Sequence, residues 1–110
     1  MTKSYVKEFT INRKLWGQQS LLRQDGKMCC LGFYCKASGC EDEEIRFRGM
    51  PIEVDGAYVP KWIRDGGEDK ELDVNMLAHI NDSRKYSRKV KEQKIKAIFK
   101  KNGIKVKFVG

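Results

Sequence analysis

The chain has 110 residues, 40% hydrophobic and 10% aromatic, with a formal net charge of +8 at pH 7. That composition describes one globular domain with a single core, and excludes a disordered chain. No apolar run reaches the ~20 residues needed to cross a bilayer, and residues 1–8 lack the apolar stretch of a secretory signal. A cytoplasmic protein with no membrane partner and four reduced thiols is therefore expected.

Residues 5–11 alternate, with Tyr5, Phe9 and Ile11 on one parity, and read as a strand. Trp16 and Gly17 follow, then Ser20-Leu21-Leu22-Arg23. Asp25-Gly26 marks a tight turn, because glycine takes positive φ without steric cost. A helix is expected over about 29–38, closed by Gly39 at its C′ position. Its helical wheel places Cys30, Phe33, Tyr34 and Ala37 in one apolar stripe, with Gly32 and Lys36 opposite.

Residues 41–71 read as loop-rich. They hold an acidic run from Glu41 to Glu44, Gly49-Met50-Pro51, Asp55-Gly56, Val59-Pro60-Lys61-Trp62, and Asp65-Gly66-Gly67-Glu68-Asp69, which has the composition of a mobile loop. A short helix over 74–80 follows, with Asp73 as N-cap and Met76, Leu77 and Ile80 facing inward. Asn81-Asp82-Ser83 is expected to break it, since such side chains compete for backbone groups.

The last helix spans about 88–102, with Ser87 as N-cap, Gly103 as C′, and an apolar stripe of Ile95, Ile98 and Phe99. Ile104-Lys105-Val106-Lys107-Phe108 alternates as a terminal strand with its lysines in solvent. Strands at both ends and helices between predict a small α+β single domain over 1–110. About three helices should pack on a short, mainly antiparallel sheet that includes the terminal strands.

All four cysteines fall between positions 29 and 40. A zinc site would need four converging ligands. Cys30, Cys35 and Cys40 advance by five residues and drift around a helix, and His79 is the only imidazole, so no metal or other cofactor is expected. As a nucleophile, Cys29 is the candidate, because a helix N-terminus favours a thiolate and the wheel turns it away from the apolar stripe. His79 would be its base, with Asn81 or Asp82 to orient it. The preferred reading is structural, with Cys30 a small buried hydrophobe at a helix crossing.

Charge is unevenly spread. Residues 41–73 carry 11 acidic and 5 basic groups, whereas 84–107 carry 11 basic groups against Glu92 alone. A phosphate-contacting face is expected from Arg84, Lys85, Arg88 and Lys89 at the entry to the last helix, with Lys96 and Lys100 along it. Tyr86 is placed to stack on a base or sugar. No helix-turn-helix or RRM signature is legible. Trp16 and Trp62 are candidates for an exposed aromatic contact with a protein.

Trp16, Leu21-Leu22, Gly26-Lys27-Met28-Cys29-Cys30-Leu31-Gly32, Ala37-Ser38-Gly39 and the later Leu77-Ala78-His79-Ile80-Asn81-Asp82-Ser83 together resemble a set of small uncharacterised tailed-phage proteins. The likeness covers about residues 14–109, and its Cys-Cys-Leu-Gly block is the distinctive part. It implies origin more than chemistry: a phage accessory protein for host takeover or counter-defence, acting in the host cytoplasm. The combined expectation is a non-catalytic protein that binds a host protein or an anionic ligand, nucleotide or nucleic acid, through its basic C-terminal surface. A cysteine-dependent enzyme using Cys29 with His79 and a small nucleic-acid-binding protein are the alternatives.

Overall fold

A computed structural model describes residues 5–51, 59–64 and 71–110. Asp55-Gly56, the 65–69 stretch and residues 1–4 lie outside the described residues. In chain order the elements are β1 (Glu8–Asn12), a 3-10 turn (Arg13–Leu15), α1 (Cys30–Ala37), α2 (Asp42–Ile45), α3 (Lys61–Arg64), α4 (Asp73–Asp82), α5 (Arg88–Lys101) and β2 (Lys105–Val109). The class is mixed α+β, as the two terminal strands and intervening helices predict. None of the described helices is long and apolar enough to cross a membrane.

The terminal strands do pair, but in parallel, with Phe9 opposite Val106 and Ile11 opposite Phe108. The expected antiparallel sheet is therefore corrected, and its cause lies at the end of α5. Gly103, at φ +80°, reverses the chain there. The Ile104 amide bonds back to the Phe99 carbonyl and Gly103 to Lys100, a Schellman closure. Lys105 N then donates to Lys7 O, so β2 starts beside the start of β1 and runs the same way. Alternation puts Phe9, Ile11, Val106 and Phe108 inside and leaves Lys105 and Lys107 exposed.

The described residues form five α-helices where about three were expected. The two additions are single turns in the segment read as loop. In α2, Glu41 N donates to the Glu44 carboxylate at 2.8 Å, half of a capping box that the acidic run encodes. In α3, Trp62 sets its ring edge-on to Phe99 with centroids 5.7 Å apart. Phe99 also meets Phe9 at 5.0 Å and Tyr34 at 5.6 Å, forming the aromatic centre of the core.

The wheel of α1 misassigns one face. Residues Cys30, Leu31, Gly32, Phe33, Tyr34 and Cys35 are all buried, and Ala37 is exposed. The segment after Gly17 crosses α1 on the side expected to be open. A Cβ on Gly32 would lie 1.9 Å from the Leu21 carbonyl oxygen, so only glycine admits this crossing.

Helix α4 also differs from expectation. Asn81 and Asp82 are part of it, and Ser83 is its C-cap. Asp73 is its first residue instead of its N-cap, with its carboxylate accepting from Asn102 at 3.0 Å and Lys101 at 3.3 Å. Met76 is 40% exposed, so the inward face belongs to Val74, Leu77, Ile80 and Asn81.

Candidate anion-binding site

A cluster of four cations lies where the Trp16-Gly17 turn meets the end of α4 and the start of α5. Trp16 and Gly17 follow the 3-10 turn, and the chain doubles back to the same place. Gly17 N donates to Met28 O, Met28 N to Leu15 O, and Arg23 N to Lys27 O. Gly26, at φ +86°, closes the Asp25-Gly26 turn expected from sequence, and the Asp25 carboxylate accepts from Lys27 N. This brings Arg23 and Lys27 over Gly17. A Cβ there would stand 2.8 Å from the Lys27 Cβ and 3.2 Å from an Arg23 guanidinium nitrogen.

Asn81 fixes the opposite wall. It is 1% exposed, and its carboxamide is fully used. Its oxygen accepts from the Trp16 indole at 2.6 Å and from the Cys30 amide at 3.0 Å. Its nitrogen donates to Gly17 O and to the Asp82 carboxylate, both at 3.0 Å. Asp82 also accepts from Gln19 N at 2.9 Å. One side chain thus joins the Trp16 turn, the start of α1 and the end of α4.

Helix α5 completes the site. Ser87 accepts from Val90 N, which caps the helix and sets Arg88 and Lys91 on one face, three residues apart. Lys91 is buried, 9% exposed, and donates at 2.9 Å to the backbone carbonyl of Asn81, in the last turn of α4. That carbonyl lies at the negative end of the α4 dipole, which steadies the ammonium. The Arg88 guanidinium lies 4.9 Å over the Trp16 ring and donates to the Arg13 carbonyl at 2.8 Å.

An open cavity of about 310 Å³ is lined by Trp16, Gly17, Gln18, Arg23, Lys27, Asn81, Arg88 and Lys91. Its base is buried, formed by Trp16, Gly17, Asn81 and Lys91. Its rim is exposed and carries Arg23, Lys27 and Arg88. Among the described residues no carboxylate lines it. Asp25 sits outside, paired with Arg23 at 3.0 Å.

Four of the residues expected to bind ligand, Arg88, Lys96, Lys100 and Tyr86, are distributed over three clefts. Arg88 lies at this cavity. Lys96 and Lys100 line a second cleft with Lys7, Lys105 and the apolar Ile104 and Val106. Tyr86 lines a third with Met76, His79, Ile80 and Lys94, and the Lys94 ammonium lies 4.9 Å over its ring. Arg84, Lys85 and Lys89 are exposed.

Sequence reasoning missed Arg23, Lys27 and Lys91. Two signals were present: basic residues flanking the Asp25-Gly26 turn, and the spacing of Arg88 and Lys91 on one helical face.

The alternative catalytic pair is separated. Cys29 is buried, contrary to its expected open position, because the chain around Ser20 and Leu21 covers the start of α1. Burial pushes its thiol up to about 11, although the Gly32 and Leu31 amides at the helix N-terminus pull the other way. Desolvation thus outweighs the helix-terminus effect on which the nucleophile reading rests. His79 is exposed in the Tyr86 cleft, and no hydrogen bond joins it to Cys29. Cys30 is fully buried with its Sγ 3.8 Å from the Leu77 carbonyl, the packing role expected of it. Trp16 is also buried, so it offers no free aromatic face, and Trp62 is half-buried.

No family model, no curated protein and no solved structure matches the chain.

Proposed function

We propose that the chain is a small non-catalytic binding protein that holds a phosphate-bearing ligand in the cavity between the Trp16 turn and α5. The observation that carries this reading is the composition of the cavity. Two arginines and two lysines line it, one ammonium is buried at its base, and among the described residues no carboxylate lines it. Arginine offers a planar fork for phosphate oxygens and lysine a compact charge, and the two recur together in phosphate sites. The phage accessory role implied by the Gly-Lys-x-Cys-Cys-Leu-Gly block is part of the same proposal, with the host cytoplasm as its setting. Lys96, Lys100 and Lys105 would add longer-range attraction from the second cleft.

The test is fluorescence anisotropy of a labelled single-stranded oligonucleotide at increasing salt. Affinity should fall steeply with ionic strength, and Arg23→Gln with Lys27→Gln should weaken it further. Binding that stays flat with salt, or none at low salt, contradicts the reading.

A second reading, binding of a host protein, is favoured by one separate feature. Phe47 has φ +62° and is 66% exposed, beside Leu15, itself 43% exposed, in a groove with Leu22 and Met28. A bulky residue is rarely held in this backbone region, and its amide is pinned to Leu22 O at 2.9 Å. Affinity capture from nuclease-treated host extract, repeated with Phe47→Ser, tests it: a retained partner lost with the variant supports this reading, and an unchanged profile contradicts it.

A further inference from the structure

We infer that the cavity selects a terminal phosphate monoester, the phosphorylated end of a nucleotide, sugar or oligonucleotide strand, over the internal phosphodiesters of a chain. The inference rests on the proposed function and narrows its ligand.

Lys91 is the innermost cation, 9% exposed, and it sits among the buried Trp16, Gly17 and Asn81. An ammonium has three donors, and the Asn81 carbonyl accepts one at 2.9 Å. No carboxylate pairs with Lys91 among the described residues, so its remaining hydrogen-bonding capacity can meet an anion brought down to the base. Arg23, Lys27 and Arg88 stand above it at the exposed rim. An anion that meets both levels must enter end-on.

A phosphodiester carries chain on both sides, one negative charge and two free oxygens. To reach Lys91 it would have to push both flanking residues into a cavity of about 310 Å³, at the small end of the roughly 300–1,000 Å³ usual for ligand sites. A monoester carries chain on one side, close to two negative charges at neutral pH and three terminal oxygens. Its charge suits the four cations, and its single substituent can leave through the open rim. Gly17 contributes by what it lacks: any Cβ there would displace Lys27 and Arg23. The Asn81 carboxamide cannot turn toward the ligand, because both its ends are bonded inside the protein. Recognition is therefore cationic, and it reads the phosphate end and not the base attached to it.

The experiment compares a short oligothymidylate carrying a 5′-phosphate with the same oligomer ending in a 5′-hydroxyl, using the full chain and calorimetry at fixed salt. Thymidine 5′-monophosphate and inorganic phosphate serve as competitors and distinguish a free small molecule from a strand end. The phosphorylated oligomer should bind about tenfold tighter or better, the size of effect that added charge-assisted contacts produce. Arg23→Gln with Lys27→Gln, both exposed and away from the core, should abolish the difference. Inorganic phosphate should compete with the phosphorylated oligomer and not with the hydroxyl one. Equal affinity for the two oligomers overturns the inference while leaving phosphate binding in place. No binding of either oligomer or of the competitors overturns the inference and the proposed function together.

Discussion

The indole N–H of Trp16 donates to the carboxamide oxygen of Asn81 at 2.6 Å, across 65 positions of chain. The same oxygen accepts the Cys30 amide, and the same carboxamide donates to Gly17 O. Trp16-Gly17, Cys29-Cys30 and Asn81-Asp82, far apart in the chain, are thus joined at one buried side chain. They form a junction of the fold, and the cationic cavity is built on its outer side.

Replacing Asn81 with alanine should strand the Trp16 indole, the Cys30 amide and the Gly17 carbonyl without partners. Each buried unsatisfied group costs about 1–3 kcal/mol, so a loss of about 3 kcal/mol or more is expected in urea denaturation. A change of less than about 1 kcal/mol would mean water replaces the carboxamide.

Two glycine substitutions should behave differently. Gly32→Ala would place a methyl against the Leu21 backbone and should cost about 3 kcal/mol or prevent folding. Gly103→Ala meets open space and bears only the strain of φ +80°, about 1 kcal/mol. Thermal melts of the two variants beside the parent check the order.

Cys29, held up to about 11 by burial, should resist alkylation in the native protein at neutral pH and react fully in denaturant. Its linkage has a definite sign. A thiol whose folded pKa is raised stabilises the fold fully below the unfolded value, and that stability is lost as pH rises toward the folded value. Cys30 is shifted the same way by the same cause. Stability should therefore decline from about pH 9 to about pH 11, read from denaturation midpoints across that range.

The Arg13–Glu92 pair, with two contacts of 2.8 Å, ties the end of β1 to α5. The Arg13 guanidinium lowers the Glu92 carboxyl from its ordinary value. Its contribution is present above the unfolded value of about 4.5 and is lost as pH falls below it. Glu92→Gln should flatten the acid side of the stability profile while changing stability at pH 7 by less than about 1 kcal/mol, as befits a partly exposed pair.

The sequence made local features plain and long-range ones obscure. Alternation in β2, the Ser87 cap and the Gly103 terminus depend on neighbours in the chain, and all three are found as read. The parallel pairing of β1 and β2 depends on where α5 delivers the chain, which no local pattern states. Asn81 was read as a helix stop because asparagine favours helix ends; its bonds to Trp16, Gly17 and Cys30 override that tendency. Lys91 is one of several lysines in a basic helix, and only its seat against the end of α4 sets it apart. Arg23 and Lys27 come to the same cavity as Arg88 and Lys91 through the fold of the Trp16 turn, across more than 60 positions of chain.

The central claim is that the cavity under Arg23, Lys27, Arg88 and Lys91 binds phosphate. An amide NMR titration with inorganic phosphate at constant ionic strength tests it most directly. Saturable shifts centred on Gly17, Gln18, Lys27 and Arg88 are expected, with little change at Lys100 and Lys105. Shifts of equal size over all the exposed lysines, or none at any concentration, would contradict it.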